Sequence, residues 1–354
     1  MKKLIHHIKK LLGCGASPVL GTSFQPYVGP WVNGQPVLWN TYTLDQVTAL
    51  LKPVAAAKFK AVSTYGQGTF VWQGVPRIQD SNQYNIQAAK TAGLKISAGC
   101  ALQGISGDSF NVEWSKCEVD FALAQAKLYG NVVDIVIGNE SVFGPNSATQ
   151  LVSLMKYAKE ARKTLGLKTT ITTRQRWDVM AGVNNTTPGY AATRQALLDL
   201  VAECDGYIYV DMYPYFDPGI AAAIGNAGAT QSQFTTAVQA SMTATWTALM
   251  AAWTAQKLTT AIRLGETGWP TSGTQPGQPV AWLADVSFAQ WYFPAISRWM
   301  TGNHVSGYIF EAYDEPWKGP DSSSEAHFGI WKADGTSSAP NQYTLTGETQ
   351  KYPV

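Results

Sequence analysis

Two carboxylates stand where this chain would place reactive groups. Glu140 follows the apolar run Val136-Ile-Gly-Asn139, and Glu266 sits in Leu264-Gly-Glu266-Thr-Gly-Trp-Pro270. A glutamate directly after an apolar strand, among small or polar neighbours, points into the mouth of a sheet rather than to bulk water. Two such groups on different strands suit glycosidic bond cleavage. One protonates the leaving oxygen, and the other attacks the anomeric carbon or activates water. One isolated glutamate would more often pair with a lysine or cap a loop. Two at strand ends, both amid aromatic residues, favour chemistry.

The aromatic excess fits the same reading. Aromatic residues make up 12% of the chain, with 13 Trp and 16 Tyr. Sugar rings present apolar C–H faces that stack on such side chains. Tyr65, Phe70, Trp72, Trp177, Tyr213, Tyr215, Trp269, Trp282, Tyr313 and Trp317 fall at or just beyond expected strand ends. Trp291, Tyr292, Phe293 and Trp299 lie in a helical pattern and are assigned to packing, the commoner fate of an aromatic.

The elements that must position these groups alternate strand with helix. Expected strands are 19–27, 60–65, 94–101, 132–139, 168–173, 207–213, 261–265 and 307–311. Several are apolar on both faces, as in Val132-Val-Asp-Ile-Val-Ile-Gly138, which suits a parallel sheet covered by helices. Expected helices cover 43–59, with a kink or break at Pro53, then 81–92, 112–129, 147–165, 190–203, 231–256 and 281–300. Ser147-Ala-Thr-Gln150 reads as a capping box opening its helix. Eight evenly spaced strands predict a single-domain α/β fold, a closed (β/α)8 barrel whose chemistry lies at the C-terminal strand ends.

Composition narrows the classes. Charged residues are 14% and hydrophobic residues 45% of 354, with a net charge of +2. A nucleic-acid partner would want a strong basic excess or stripe, so none is expected. No apolar run reaches the ~18 residues of a membrane span. The four histidines do not cluster and no CxxC pair occurs, so no metal site or cofactor is implied. Cys100 and Cys117 either bridge one loop or stay as free thiols. Residues 1–17 read as a leader or a basic amphipathic segment, 18–335 as the catalytic barrel and 336–354 as a C-terminal tail. Asn184-Asn-Thr-Thr187 holds overlapping glycosylation sequons.

Four motifs in order resemble glycoside hydrolase family 17, the β-1,3-glucanases. They are Val136-Ile-Gly-Asn-Glu140-Ser, Tyr213-Pro-Tyr-Phe216, Gly265-Glu-Thr-Gly-Trp-Pro-Thr271, and Phe310-Glu-Ala-Tyr-Asp-Glu-Pro-Trp-Lys318 with Glu325-Ala-His-Phe-Gly-Ile-Trp331. The resemblance covers roughly residues 18–335. It implies a retaining site with Glu140 as acid/base and Glu266 as nucleophile, carboxyls ~5–5.5 Å apart. It further implies Asn139 on the sugar 2-hydroxyl and Glu315 with Lys318 as a supporting charged pair. Tyr65, Trp177, Tyr213, Tyr215, Trp269, Glu311, Asp314 and Trp317 complete the expected substrate-binding set.

The eighth-strand motif looks more like microbial members, including glucan transferases, than plant ones. The short Gly/Ala-rich stretch 217–230 leaves no room for a large sixth-loop subdomain and argues against a long, deep groove. The expectation is therefore a β-1,3-glucan transglycosylase, with a β-1,3-glucan hydrolase and a non-catalytic glucan-binding barrel as alternatives. A sugar-phosphate enzyme would want a basic phosphate site where Glu266 and Glu311 place negative charge. β-1,3-Glucan or laminari-oligosaccharides would be substrate and acceptor. The chain is expected as a monomer, extracellular, periplasmic or wall-associated.

Overall fold

Apolar strands and amphipathic helices alternate through a computed structural model that describes residues 20–26, 31–32, 35–36, 42–78, 80–182, 190–275, 280–333 and 349–354. The expected leader at 1–17, the outer ends of the first expected strand, the sequons at 184–187 and residues 336–348 of the expected tail lie outside the described residues. Eight parallel strands close a barrel in sequential order. They are β1 (Leu20–Ser23), β2 (Ala61–Ser63), β3 (Lys95–Cys100), β4 (Val132–Asn139), β5 (Thr170–Arg176), β6 (Tyr207–Asp211), β7 (Ala261–Glu266) and β8 (Gly307–Ile309). The helices outside are α1 (Leu44–Ala56), α2 (Asn85–Thr91), α3 (Val112–Tyr129), α4 (Pro145–Thr164), α5 (Trp177–Ala181), α6 (Tyr190–Glu203), α7 (Ile220–Ile224), α8 (Gln231–Ala255) and α9 (Val286–Gly302).

Helix stripes seal the strands from outside. On α1, Val47, Leu50, Leu51 and Val54 are buried, and on α4 Leu151, Leu154, Met155 and Ala158 are. Each fully buried aliphatic side chain contributes about 1.5–3 kcal/mol. The chain between β6 and α8 holds only a 3-10 turn, Pro214–Phe216, and the five residues of α7. The fold therefore has no sixth-loop subdomain.

Four details differ from expectation. Helix α1 runs through Pro53 and ends at Ala56, three residues before its expected end. The proline forfeits one helix hydrogen bond, and the buried stripe Leu50, Leu51 and Val54 holds the helix on the barrel. Helix α4 starts at Pro145, two residues early. Its first amides are capped from another loop: Asp108 accepts from the backbone N–H of Asn146 at 2.9 Å and of Ser147 at 3.0 Å. Gln150, expected to close the box, instead accepts from Phe110 N at 2.9 Å. Between β2 and α2 a hairpin pairs Thr69–Trp72 with Val75–Ile78. Its turn residues Gln73 and Gly74 take φ of +50° and +77°, the double left-handed turn that favours glycine.

The described end of the expected tail, residues 349–354, packs on the barrel. Trp331 bridges Gln350, and Lys351 Nζ lies 2.5 Å from Asp314 Oδ1 and 2.8 Å from Thr271 Oγ1. Residues 349–354 thus strap the loops after β7 and β8. Cys100 and Cys117 are both free thiols, Cys100 buried. Among the described residues no helix is long and apolar enough to cross a membrane.

Candidate active site

The C-terminal strand ends surround a cavity of about 1040 Å³. Strand irregularities aim side chains into it. The β4–β5 register shifts between Val136 and Asn139, and the β6–β7 register shifts between Val210 and Asp211. Such shifts re-aim side chains at barrel rims. Glu140 takes a φ of +46° and donates its backbone N–H to Arg174 O at 3.0 Å. A non-glycine residue in that region is held there by its surroundings.

Glu140 and Glu266 both line the cavity. Glu140 opens toward solvent, while Glu266 is 5% exposed. Crowding by the walls, followed by the Glu266 charge, pushes the Glu140 carboxyl up to about 7. Glu266 Oε2 accepts from Tyr213 OH at 2.7 Å, and Oε1 lies 3.6 Å from Arg174 Nε. Gly265, next to Glu266 inside β7, has no room for a side chain. A Cβ there would meet Arg174 Cδ and Asp211 Oδ1, each at 2.4 Å.

Asn139, Tyr65, Trp177, Tyr213 and Lys318 line the same cavity. Glu311 and Glu315 are buried beside it, and Lys318, on an exposed turn, reaches in to Glu315. Lys318 Nζ lies 2.5 Å from Glu315 Oε2 and 4.3 Å from the Phe310 ring centre. Gln25 Nε2 donates to Glu315 Oε1 at 2.7 Å. Burial and then Glu315 hold the Glu311 carboxyl well above the usual range. Burial alone would lower the Lys318 ammonium, but Glu315 and Glu311 outweigh it and raise the group.

Other expected residues go elsewhere. Tyr215 and Trp269 are fully buried in the wall, their rings 5.3 Å apart, and Trp269 Nε1 donates to Leu283 O at 2.8 Å. They support the loops, and their faces are used by neighbouring rings rather than left for a sugar. Asp314 turns from the cavity to Lys351 and Gly329 N. Trp317 is half-buried in the turn Pro316–Lys318, outside the cavity lining. Trp72 stands 61% exposed on the hairpin, and Tyr313 packs inside with its OH on Leu50 O at 2.8 Å.

The expected set contains neither Arg174 nor Asp211. Strand β5 extends three residues beyond its expected end and brings Arg174 inside, 1% exposed. Asp211 closes β6, is 2% exposed, and no side-chain donor reaches either oxygen. Burial and then Glu266 hold its carboxyl well above the usual range. Thr-Thr-Arg-Gln-Arg reads as a strand leaving the core, so the interior arginine had no local signal. Among the described residues no His, Cys, Asp and Glu group of metal-binding size occurs.

Comparisons with known proteins accord with this layout. A family profile, the BtgE/BtgC glycoside hydrolase domain, matches residues 35–329. A glucan 1,3-beta-glucosidase of Candida albicans is 40% identical over 79 residues, 21% of this chain and 24% of that protein. The chain thus matches only about a quarter of that relative's length. An endo-laminarinase from Formosa superposes with a TM-score of 0.69 at 18% identity, over 88% of this chain and 83% of that one. A family 17 β-1,3-glucanosyltransferase from Rhizomucor miehei superposes at 0.54 with 18% identity, over 91% and 94%.

Proposed function

The chain belongs to the BtgE/BtgC glycoside hydrolase domain family, and we propose that it cleaves β-1,3-glucan by double displacement and passes the glycosyl group to a sugar acceptor. The resemblance to glycoside hydrolase family 17 holds at the level of family and barrel. The observation that carries the reading is that Glu140 and Glu266, at the C-terminal ends of β4 and β7, line one and the same cavity.

In this reading Glu140 is the acid. A carboxyl raised to about 7 is protonated over the neutral to acidic range and can give its proton to the departing oxygen. Glu266, held by Tyr213 and faced by Arg174, attacks the anomeric carbon. The glycosyl ester forms as the glycosidic C–O bond breaks, and the leaving sugar takes the Glu140 proton. Glu140, now ionised, then takes the proton of the incoming hydroxyl as that oxygen bonds to the anomeric carbon and the ester bond to Glu266 breaks, freeing its carboxylate. Asn139 binds the 2-hydroxyl, and Tyr65, Trp177 and Tyr213 contact the rings.

Transfer rather than hydrolysis is supported on the acid side. Trp177 and Phe143 line the cavity beside Glu140, Phe143 being 48% exposed. The acceptor must enter where the leaving sugar departs, and an apolar platform there favours a sugar over water. Sizing products from laminari-oligosaccharides tests this. Products longer than the substrate support transfer, shorter products alone give hydrolysis, and binding without cleavage gives a glucan-binding barrel. A polymeric glucan substrate would suit the expected extracellular, periplasmic or wall-associated setting.

A further inference from the structure

Arg174 joins groups that are distant in sequence beneath the cavity. Its Nε donates to Asn139 Oδ1 at 2.6 Å, Nη1 to Ser63 Oγ at 3.0 Å, and Nη2 to Thr64 O at 3.2 Å. The guanidinium carbon lies 4.3 Å from the centre of the Tyr65 ring, and Nε is 3.6 Å from Glu266 Oε1. One side chain thus touches β2, the Tyr65 turn, β4 and β7.

We propose that Arg174 is the positioning residue of this site, fixing the amide of Asn139 so that its NH₂ is left for the sugar 2-hydroxyl. The inference rests on the proposed glucan chemistry. Guanidinium has donors only, so the atom of Asn139 that meets Nε must be the carbonyl oxygen. Because that oxygen is committed, the nitrogen is directed away from the arginine. Asn139 lines the cavity and its residue is half-buried, so the freed donor faces the space a sugar would fill. The fork cannot rotate to release Asn139 without giving up Ser63 and Thr64. Lysine offers a point charge on a flexible stem and has no planar fork to hold the amide.

Gly265 shows that the arrangement is built into neighbouring strands. The 2.4 Å approach of the Arg174 stem to its missing Cβ position means that this stem occupies the space a side chain would need. Burial works against the guanidinium charge, and the Glu266 carboxylate is a charge partner that helps to offset it.

The test compares an aryl β-laminaribioside with its 2-deoxy counterpart, altered in the ring at the cleavage point. Wild type, Arg174→Lys, Ser63→Ala, Asn139→Ala and the Arg174→Lys/Asn139→Ala pair are assayed. Losing a contact made mainly in the transition state lowers kcat and kcat/KM together. Arg174→Lys should therefore lose about tenfold or more in kcat, with KM within about threefold. Its preference for the 2-hydroxyl substrate should fall as in Asn139→Ala, with no further fall in the pair. Ser63→Ala, a milder loss of one anchor, should show a smaller fall of the same kind. Equal losses on both substrates, or additive losses in the pair, overturn the proposal. Absence of wild-type turnover on either substrate overturns the glucan reading, and this proposal with it.

Discussion

The two ends of the barrel interior hold polar clusters made of the same side-chain types and arranged in opposite ways. At the N-terminal end, Asp134 on β4 is completely buried and accepts from Ser97 Oγ, Tyr207 OH and Tyr209 OH. Arg263 stacks on the Tyr207 ring, 3.4 Å from its centre. At the C-terminal end, Glu266 has one tyrosine donor, Oε1 accepts no hydrogen bond, and Asp211 has no side-chain donor. A buried carboxylate with its acceptors filled ties strands together. One left short of donors carries a desolvation cost that a bound ligand can offset. The lower cluster is a barrel plug, and the upper one is arranged for a guest.

The largest expected effect breaks this comparison at its upper end. Glu266→Gln should lower turnover of laminari-oligosaccharides by about 10³-fold or more, while calorimetry still detects oligosaccharide binding. Unchanged turnover would remove the nucleophile assignment. Glu140→Gln should come next, with a loss of about 10²–10⁴-fold. The sign of the pH effect follows from the proposed role of Glu140 as the acid of the first step. Its carboxyl is raised to about 7, so wild-type kcat/KM should fall as pH rises through that value. The variant should lack this limb. A limb that persists in Glu140→Gln would assign it to another group.

A matched pair sharpens the contrast. Tyr213 OH reaches Glu266 at 2.7 Å, and Tyr209 OH reaches Asp134 at 2.8 Å. Tyr213→Phe should cost about tenfold or more in kcat/KM, the effect of a hydrogen bond to a charged group, with a small change in stability. Tyr209→Phe should do the reverse, lowering unfolding free energy by about 1–3 kcal/mol with kcat/KM within about threefold. Denaturant melts beside steady-state rates separate the two. If both variants lose activity alike, the division between plug and site fails. Smallest is Lys351→Ala, which removes the strap from Asp314 and Thr271. It should cost a modest amount of stability and leave the product size distribution unchanged.

Much of the site was legible in the sequence because its signals are local. Glu140 follows an apolar run and Glu266 ends one, and Asn139, Tyr65, Trp177, Tyr213 and Lys318 fall at strand ends that line the cavity. Tyr215 and Trp269 carry the same local signal yet pack into the wall, since strand-end position does not say which face a ring presents. The β5 end was misread for the opposite reason. Polar residues after Ile171 resemble an exit to solvent, but Thr172, Thr173, Arg174 and Gln175 are all buried and find their partners on neighbouring strands and loops.

The amino-acid order alone determined the eight-strand rhythm, the missing sixth-loop subdomain and the two glutamates, because periodicity and strand-end chemistry are properties of neighbouring residues. Only the tertiary structure decided that Arg174 lies inside and meets Ser63, 111 positions away. It also decided that Asp211 is left without side-chain donors, and that Lys351 closes over Asp314. A buried ion is stable only when distant strands bring it counter-charges and acceptors, and no short stretch of sequence records that convergence.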